Sequence, residues 1–186
     1  MNETLKSILN RRSTRIFRPE QLAEAEVEAI VEAGLYAPSA MNRQPWHITV
    51  VQDPQLLSAL NRDAKTAMAA SGNEYLMKYS SNEAFHIFYH APTVVVVSGE
   101  ADSPYAPTDC AALTQNLLVA AESLGIGSCW VGMARFALEG EQGAHYRTAL
   151  GIPAGHDSCY TVALGYKKNA TAAAPPRKAQ AVNYIR

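Results

Sequence analysis

Apolar positions recur along the chain with two periods, and each period predicts one type of secondary structure. Positions three or four residues apart share one side of a helix, whereas a strand alternates its faces or, at the centre of a sheet, is apolar on both. Leu5, Ile8 and Leu9 have the helical spacing, and the run Thr93–Val97 has the composition of a central strand. Helices and strands mix without strict alternation, which predicts an α+β fold. The predicted elements are helices over 4–10 and 20–36, a strand over 46–51, two or three helices over 54–90, a strand over 94–97, a helix from Thr108 or Asp109 to Leu124, a strand over 128–133, a helix over 138–150 and a strand over 158–166.

Proline and glycine set the limits of several of these elements. Pro38 disfavours a helical residue before it, so the second helix is expected to end near residue 36. Gly125 can take a positive φ and is expected to end the long helix before it. After Lys168 the chain is rich in alanine and proline, which predicts an extended tail that lies on another surface. With no repeat and no boundary between segments, residues 1–186 are expected to form one domain.

The composition is that of a folded domain with little overall charge. Of the 186 residues, 48% are hydrophobic and 18% are charged, and the charged share is below the usual quarter or so. We therefore expect a partner subunit or a bound ligand to cover part of the surface. Lys and Arg number 16 against 17 Asp and Glu, a net charge of −1, which provides no general attraction to nucleic acid or to an anionic membrane.

The cysteines predict a reducing compartment, and we expect a cytoplasmic protein. Cys110, Cys129 and Cys159 are an odd number at wide spacings, which favours reduced thiols over a disulfide framework or a cysteine-rich zinc site. The first residues lack the apolar core of a signal peptide. The longest apolar strand-like run, over 93–97, is far shorter than a membrane span.

A basic stretch follows the first helix. Four arginines lie at Arg11, Arg12, Arg15 and Arg18, with Ser13 among them. Guanidinium groups and a hydroxyl match phosphate oxygens, so the stretch predicts a local anion site. The alternative is a solvated helix end, whose cations suit the helix dipole.

A polar loop between two prolines, Pro38 and Pro45, holds Ser39, Asn42 and Gln44. Side chains with both donors and acceptors on a stiff loop suit the edge of a heterocycle. An ordinary helix-to-strand turn would use the same residue types.

The segment from Gly125 to Gly132 resembles two motifs whose context it lacks. Its glycines follow a helix and precede a strand, the reverse of a dinucleotide fingerprint. Cys129 stands in a Gly-Ser-Cys-Trp run like that of papain-like proteases, but only 57 residues follow it, too few for the catalytic histidine. We expect Cys129 to be a small buried residue.

His86 and His90 lie one helical turn apart and could share a metal ion. No glutamate follows His86 and no third ligand is evident, so we expect no metal site here.

Taken in order, these segments are similar to those of the FMN-dependent nitroreductase family, and the similarity extends over essentially the whole chain. The matching segments are Arg11-Arg12-Ser13-x-Arg15-x-Phe17, Ala37-Pro38-Ser39-x-x-Asn42-x-Gln44-Pro45-Trp46, the apolar helix over 109–124, Gly127-Ser128-Cys129-Trp130-Val131-Gly132, Leu164-Gly165-Tyr166 and Pro175-Pro176-Arg177-Lys178.

The resemblance implies a central mixed sheet flanked by helices, and a homodimer in which a C-terminal extension wraps the partner. It implies two FMN molecules at the subunit interface, each in contact with both chains. Phosphate and ribityl contacts would come from Arg11, Ser13 and Arg15, with Arg12 adjacent and with Arg177 or Lys178 closing on the phosphate. The other subunit would supply Pro38, Ser39 and Asn42, with Gln44 as a weaker candidate, and Trp130, Val131 and Gly132 would lie against the isoalloxazine.

The resemblance also implies a reaction. The flavin would carry hydride from NAD(P)H to a nitroaromatic, quinone or similar electron-poor acceptor in a ping-pong cycle, with no catalytic side chain. Two alternatives stay open: a flavin-binding or storage protein with little turnover, and another flavin reaction on the same scaffold, such as enone reduction, dehalogenation or flavin fragmentation. The preference for NADH or NADPH is not determined, and the residues that would line the acceptor pocket or else belong to the core are Asn61, Phe85, Phe88 and Tyr89.

Overall fold

An antiparallel sheet of four strands lies at the centre of the fold, in a computed structural model that describes residues 1–170, 172–178 and 181–186. The strand order is β1-β2-β4-β3. A short 3₁₀ turn over Ala40–Asn42 precedes the first strand. The helices and strands are α1 Glu3–Asn10, α2 Glu24–Leu35, β1 Trp46–Val51, α3 Pro54–Ala69, α4 Glu74–Ser80, β2 Thr93–Glu100, α5 Ala106–Ser123, β3 Ile126–Val131, α6 Arg135–Leu138, α7 Gly143–Ala149 and β4 His156–Tyr166.

Strand β2 shows why the sheet is apolar on both faces. Val94 and Val96 belong to a core shared with α3, α6 and α7, whereas Val95 and Val97 belong to a second core shared with α2 and α5. Alternate residues of a strand point to opposite faces, so a strand between two helical layers needs valine at every position. The α+β class and the central position of this strand are confirmed.

The strand directions differ from the expected mixed sheet, because all three strand pairings are antiparallel. Within the described residues, parallel pairing occurs at the isolated bridge between Ser13 and Ser128. Apolar residues on both faces identify a central strand but do not determine its direction, which is why the sequence pattern left this feature open.

Several element limits also differ from the sequence prediction. Helix α2 begins at Glu24 and not at residue 20, because Glu26 accepts a hydrogen bond from the Ala23 N–H and closes the first turn there. Helix α5 begins at Ala106, with a proline in its first turn, where proline is tolerated. The helix predicted over 138–150 is α7, Gly143–Ala149, and the first predicted residue, Leu138, is instead the last residue of a separate short helix, α6.

Candidate functional site

The basic segment lies along an edge of the sheet and is fixed there by its backbone. The Thr14 N–H donates to the Ser128 carbonyl at 2.8 Å, and the Arg18 N–H donates to the Tyr166 carbonyl at 2.9 Å. A Cβ at Gly127 would lie 2.8 Å from the Thr14 Cγ2, so glycine allows the segment to approach β3 this closely. These contacts hold residues 11–18 against β3 and the end of β4.

The arginines of this segment differ in the contacts that their guanidinium groups make within the chain. The Arg12 guanidinium donates from Nη1 to the carbonyls of Leu9 and Arg11, both at 2.7 Å, so it caps the end of α1. Arg15 and Ser13 are exposed beside Arg12, at a cavity of about 220 Å³ that also contacts Lys167. A cation and a hydroxyl therefore face a space large enough for a phosphate group.

Cys129 is buried near Arg11 and Arg15, and the charges of these arginines affect the pKa of its thiol. Burial raises the pKa of the Cys129 thiol, while the charges of Arg15 and Arg11 and a hydrogen bond from Ser13 act in the opposite direction. The thiol is 1% exposed, which confirms the expectation of a small buried residue.

Arg15 also contacts an aromatic row that extends from α4. Its guanidinium lies 5.7 Å from the centre of the Tyr89 ring, and a hydrogen bond with Tyr89 raises the pKa of Arg15. Ring contacts continue through Phe85 and Tyr79 to Tyr75, with centroid separations of 6.1, 4.9 and 4.8 Å. The row connects the basic segment to a second, larger cavity, where Tyr75 forms part of the wall.

Trp130, Val131 and Gly132 form another part of the wall of this cavity, which has a volume of about 610 Å³. The Trp130 ring is 37% exposed and contacts the Tyr160 ring edge to face at 4.8 Å. Val131 is buried and Gly132 is exposed. A planar ligand in this cavity would therefore contact an indole and an exposed backbone segment on one side.

The sequence left four residues, Asn61, Phe85, Phe88 and Tyr89, assigned either to the acceptor pocket or to the core, and two of them have structural roles. Phe88 is fully buried in the core, and the Asn61 side chain accepts a hydrogen bond from the Ile87 N–H at 2.9 Å. Phe85 is partly buried against the same core, and Tyr89 contacts Arg15.

The polar loop between α2 and β1 has an unusual backbone held by its own side chains. Met41, Asn42 and Gln44 all have positive φ, from 50° to 54°. The Ser39 hydroxyl accepts a hydrogen bond from the Gln44 N–H at 3.0 Å, and the Gln44 amide donates to the Asn42 side chain at 3.2 Å. Pro38 is exposed beside them. The loop therefore presents its polar groups in one fixed arrangement.

Asp109 anchors this loop, a role that sequence reasoning missed. Its carboxylate is 6% exposed and accepts a hydrogen bond from the Ala40 N–H, with both oxygens at 3.2 Å. The sequence marked Asp109 only as a helix cap. The sequence does contain a signal for this role: Asp109 stands among apolar residues of α5, and a buried carboxylate needs a hydrogen-bond partner.

Within one chain, the polar loop and the basic segment lie far apart in the fold. The basic segment pairs with Ser128 in β3, and the loop leads into Trp46 in β1, at the other edge of the sheet. The register places Ser128 opposite Leu164 and Trp46 opposite Gly99. Three strand spacings and about six residues of strand separate the two sites, which is roughly 25 Å. One chain therefore does not bring the two predicted halves of the site together.

The remaining candidates lie elsewhere. Arg177 and Lys178 are exposed in the extended tail. The rings of His86 and His90 are 4.6 Å apart, and burial together with His90 lowers the pKa of His86 to about 4. In the part of the chain that the structure describes, no three histidine, cysteine or acidic side chains are grouped to hold a metal ion. Within the same residues, no helix has the length and apolar content needed to cross a membrane.

Large apolar side chains are exposed at two places, on the N-terminal helix and next to the polar loop. Helix α1 buries none of its residues, although Leu5, Ile8 and Leu9 are aligned on one side and are 47–54% exposed. Tyr36 and Met41, next to the polar loop, are 81% and 79% exposed.

Comparison with known proteins assigns the family. Residues 8–166 match the model of the nitroreductase family, and the chain belongs to that family. It is similar to a nitroreductase with bound FMN from Bacteroides fragilis, with 37% identity, full coverage of both chains and a TM-score of 0.93. A nitroreductase with bound FMN from Desulfitobacterium hafniense has 31% identity, full coverage of both chains and a TM-score of 0.92. A relative from Archaeoglobus fulgidus, whose assigned name joins NADH dehydrogenase and NAD(P)H nitroreductase, is 34% identical over 91% of this chain and 88% of its own length.

Proposed function

We propose that the protein is an FMN-dependent NAD(P)H oxidoreductase that reduces nitroaromatic, quinone or similar electron-poor acceptors. The observation that carries the proposal is that Ser13 and Arg15 are held against β3 by the pairing of Ser13 with Ser128, two residues before Trp130, which walls the larger cavity. Such a site offers donors for a phosphate at one end and an aromatic wall for a planar ring at the other. The family, and the FMN bound to its Bacteroides and Desulfitobacterium members, support this assignment.

The basic segment fits the phosphate and ribityl end of FMN. Arg11, Ser13 and Arg15 would hold these groups, since guanidinium donors pair with phosphate oxygens in charge-assisted hydrogen bonds. Ser13 and Arg15 are exposed at the cavity of about 220 Å³, so both can reach a ligand there. Arg12 would act by fixing the segment, and Arg177 or Lys178 would add a cation from the tail.

The other end of the cavity fits the isoalloxazine. Trp130, Val131 and Gly132 would lie against the ring system, with the exposed backbone at Gly132 within its reach. FMN, when bound, accepts hydride from NAD(P)H and delivers the electrons to the acceptor. The chain's own contribution is to bind and orient these molecules. Cys129 is too buried to act as a nucleophile, and burial raises its pKa.

A homodimer would complete the site. Pro38, Ser39 and Asn42 of one copy, with Gln44 as the weaker contact, would meet the basic segment of the other. The separation of roughly 25 Å between these groups within one chain supports this arrangement. The exposed apolar side of α1 is surface that a second copy would cover. We further propose a cytoplasmic location, in keeping with three free thiols.

The proposal is tested by flavin identity and by reduction without oxygen. The purified protein is expected to be yellow and to release FMN, not FAD, on heating. In anaerobic stopped flow, NADH or NADPH alone should bleach the flavin, and a nitroaromatic or quinone added afterwards should restore its absorbance. A colourless protein that also fails to bind added FMN contradicts the proposal, as does a bound flavin that neither nicotinamide reduces.

A further inference from the structure

Strand β4 contains a β-bulge, and Cys159 is the extra residue in it. Val97 of β2 pairs with Tyr160 and Ser98 pairs with Ser158, so Cys159 has no partner in the ladder. A bulge redirects the side chain of its extra residue and is frequent beside active sites. The bulge therefore determines where the Cys159 thiol points.

The thiol of Cys110, from the first turns of α5, meets that of Cys159. The Cys110 thiol donates to the Ser98 carbonyl and the Cys159 thiol to the Asp157 carbonyl, both at 3.7 Å, and each thiol affects the pKa of the other. Both lie against Gly99: a Cβ there would come within 2.9 Å of the Cys110 Sγ and 3.3 Å of the Cys159 Sγ. Glycine at this point of β2 leaves room for two sulfur atoms side by side.

The two thiols differ in access and in acidity. Cys159 is partly exposed and lines the cavity of about 610 Å³, whereas Cys110 is fully buried behind it. Hydrogen bonds from Cys110 and from the Gly99 N–H lower the pKa of Cys159. The same contact with Cys159, together with burial, raises the pKa of Cys110. Cys159 is thus the more accessible and the more acidic of the two thiols.

We propose that Cys159 and Cys110 form a redox-active dithiol that a small hydroperoxide, such as hydrogen peroxide, oxidises to an intramolecular disulfide. The Cys159 thiolate attacks the peroxide, an S–O bond forms, the O–O bond breaks, and the released hydroxide takes up a proton to leave as water. The Cys110 sulfur then attacks the sulfenic acid of Cys159, the S–O bond breaks, and the oxygen leaves as a second water with the proton of Cys110. Two thiols are oxidised by two electrons and one peroxide is reduced.

This chemistry goes beyond the proposed function, although Cys159 lines the same cavity that is assigned to the isoalloxazine. The dithiol also adjoins the anchor of the polar loop, because Cys110 directly follows Asp109 in α5. A disulfide would join the first turns of α5 to the bulge in β4. The chemistry uses only residues of one chain, so its test needs neither a nicotinamide nor an acceptor.

The test is a peroxide titration of the reduced, full-length protein, followed by alkylation and peptide mapping. Hydrogen peroxide should protect two cysteines from alkylation and yield one peptide pair that links Cys110 to Cys159 within a chain, reversible by dithiothreitol. The free thiol of Cys159 should disappear at least about tenfold faster than the free thiol of the buried Cys129 in the same molecules. Cys129→Ala, the matched control, should form the same disulfide at the same rate.

Two variants separate the steps. Cys110→Ser should stop at the sulfenic acid of Cys159, trapped by dimedone, and Cys159→Ser should leave Cys110 alkylatable after peroxide. The proposal is overturned if wild-type protein keeps both thiols, if Cys159 oxidises further without a link to Cys110, or if the disulfide joins two chains. These outcomes are read on wild-type protein, so a variant that fails to fold does not affect the decision.

Discussion

Among single residues, Arg15 and Arg12 make the sharpest contrast, because one guanidinium is exposed at the phosphate-sized cavity and the other is engaged by carbonyls of α1. A charge-assisted hydrogen bond contributes about 1.5–3 kcal/mol, so Arg15→Ala is expected to weaken FMN binding about ten- to a hundredfold. Arg12→Ala should weaken binding less than Arg15→Ala does, because its guanidinium is already engaged by the carbonyls of Leu9 and Arg11. Fluorescence titration of the apoprotein with FMN measures both. Equal losses in the two variants would show that Arg15 has no special place in the site.

Asp109 provides a second residue-level prediction. Its carboxylate accepts the Ala40 N–H away from water, so Asp109→Ala leaves a poorly solvated donor and releases the loop. We expect the free energy of unfolding of the apoprotein to fall by about 1–3 kcal/mol in urea, and FMN affinity to fall as well. Asp109→Asn keeps one acceptor oxygen and should lie between wild type and alanine. If alanine is as stable as wild type, the carboxylate does not anchor the loop.

For the elements, the decisive contact is between the basic segment and β3. Gly127→Ala would place a methyl group 2.8 Å from the Thr14 Cγ2, which must force the segment outward. Overpacking of this kind costs about 1–3 kcal/mol, and FMN affinity should fall because Arg15 moves with the segment. The double variant Gly127→Ala/Thr14→Ala removes the two shortest contacts and leaves the one with the Lys167 Cγ at 3.0 Å, so it should recover part of both losses, measured by the same titration and urea melts. Failure of the second substitution to rescue the first would place the cause elsewhere.

The elements also show what the sequence could and could not predict. Periodicity identified all four strands and the long helices, because those patterns reflect burial on one face or on both. It misplaced the start of α2, where Glu26 caps the chain at Ala23, and that of α7, which begins at Gly143. These helix boundaries depend on single hydrogen bonds and on glycine contacts, which do not appear in the periodic pattern of apolar residues. The bulge at Cys159 likewise depends on the register with β2, which one strand alone does not reveal.

For the site as a whole, local residue patterns predicted candidate components, and only the family resemblance implied that two chains share the site. The basic segment, the polar loop and the strand end at Trp130 were all predicted from motifs, and the structure pairs Ser13 with Ser128, two residues before Trp130 in β3. Their separation from the loop follows from the strand order, which local patterns do not encode. That separation is the reason for proposing a site shared between two copies.

A mixed dimer tests the shared site directly. Two chains would be co-expressed with different tags, one carrying Arg15→Ala and the other the loop substitutions Ser39→Ala and Asn42→Gly, the latter because glycine keeps the positive φ of 53°. Purification through both tags isolates dimers with one copy of each chain. A site shared across the interface restores one FMN site of wild-type affinity per mixed dimer, about half of the wild-type number, although both sites of each homodimeric variant are weakened. The account is contradicted if the mixed dimer has no tight FMN site, or if the protein is a monomer that binds FMN tightly.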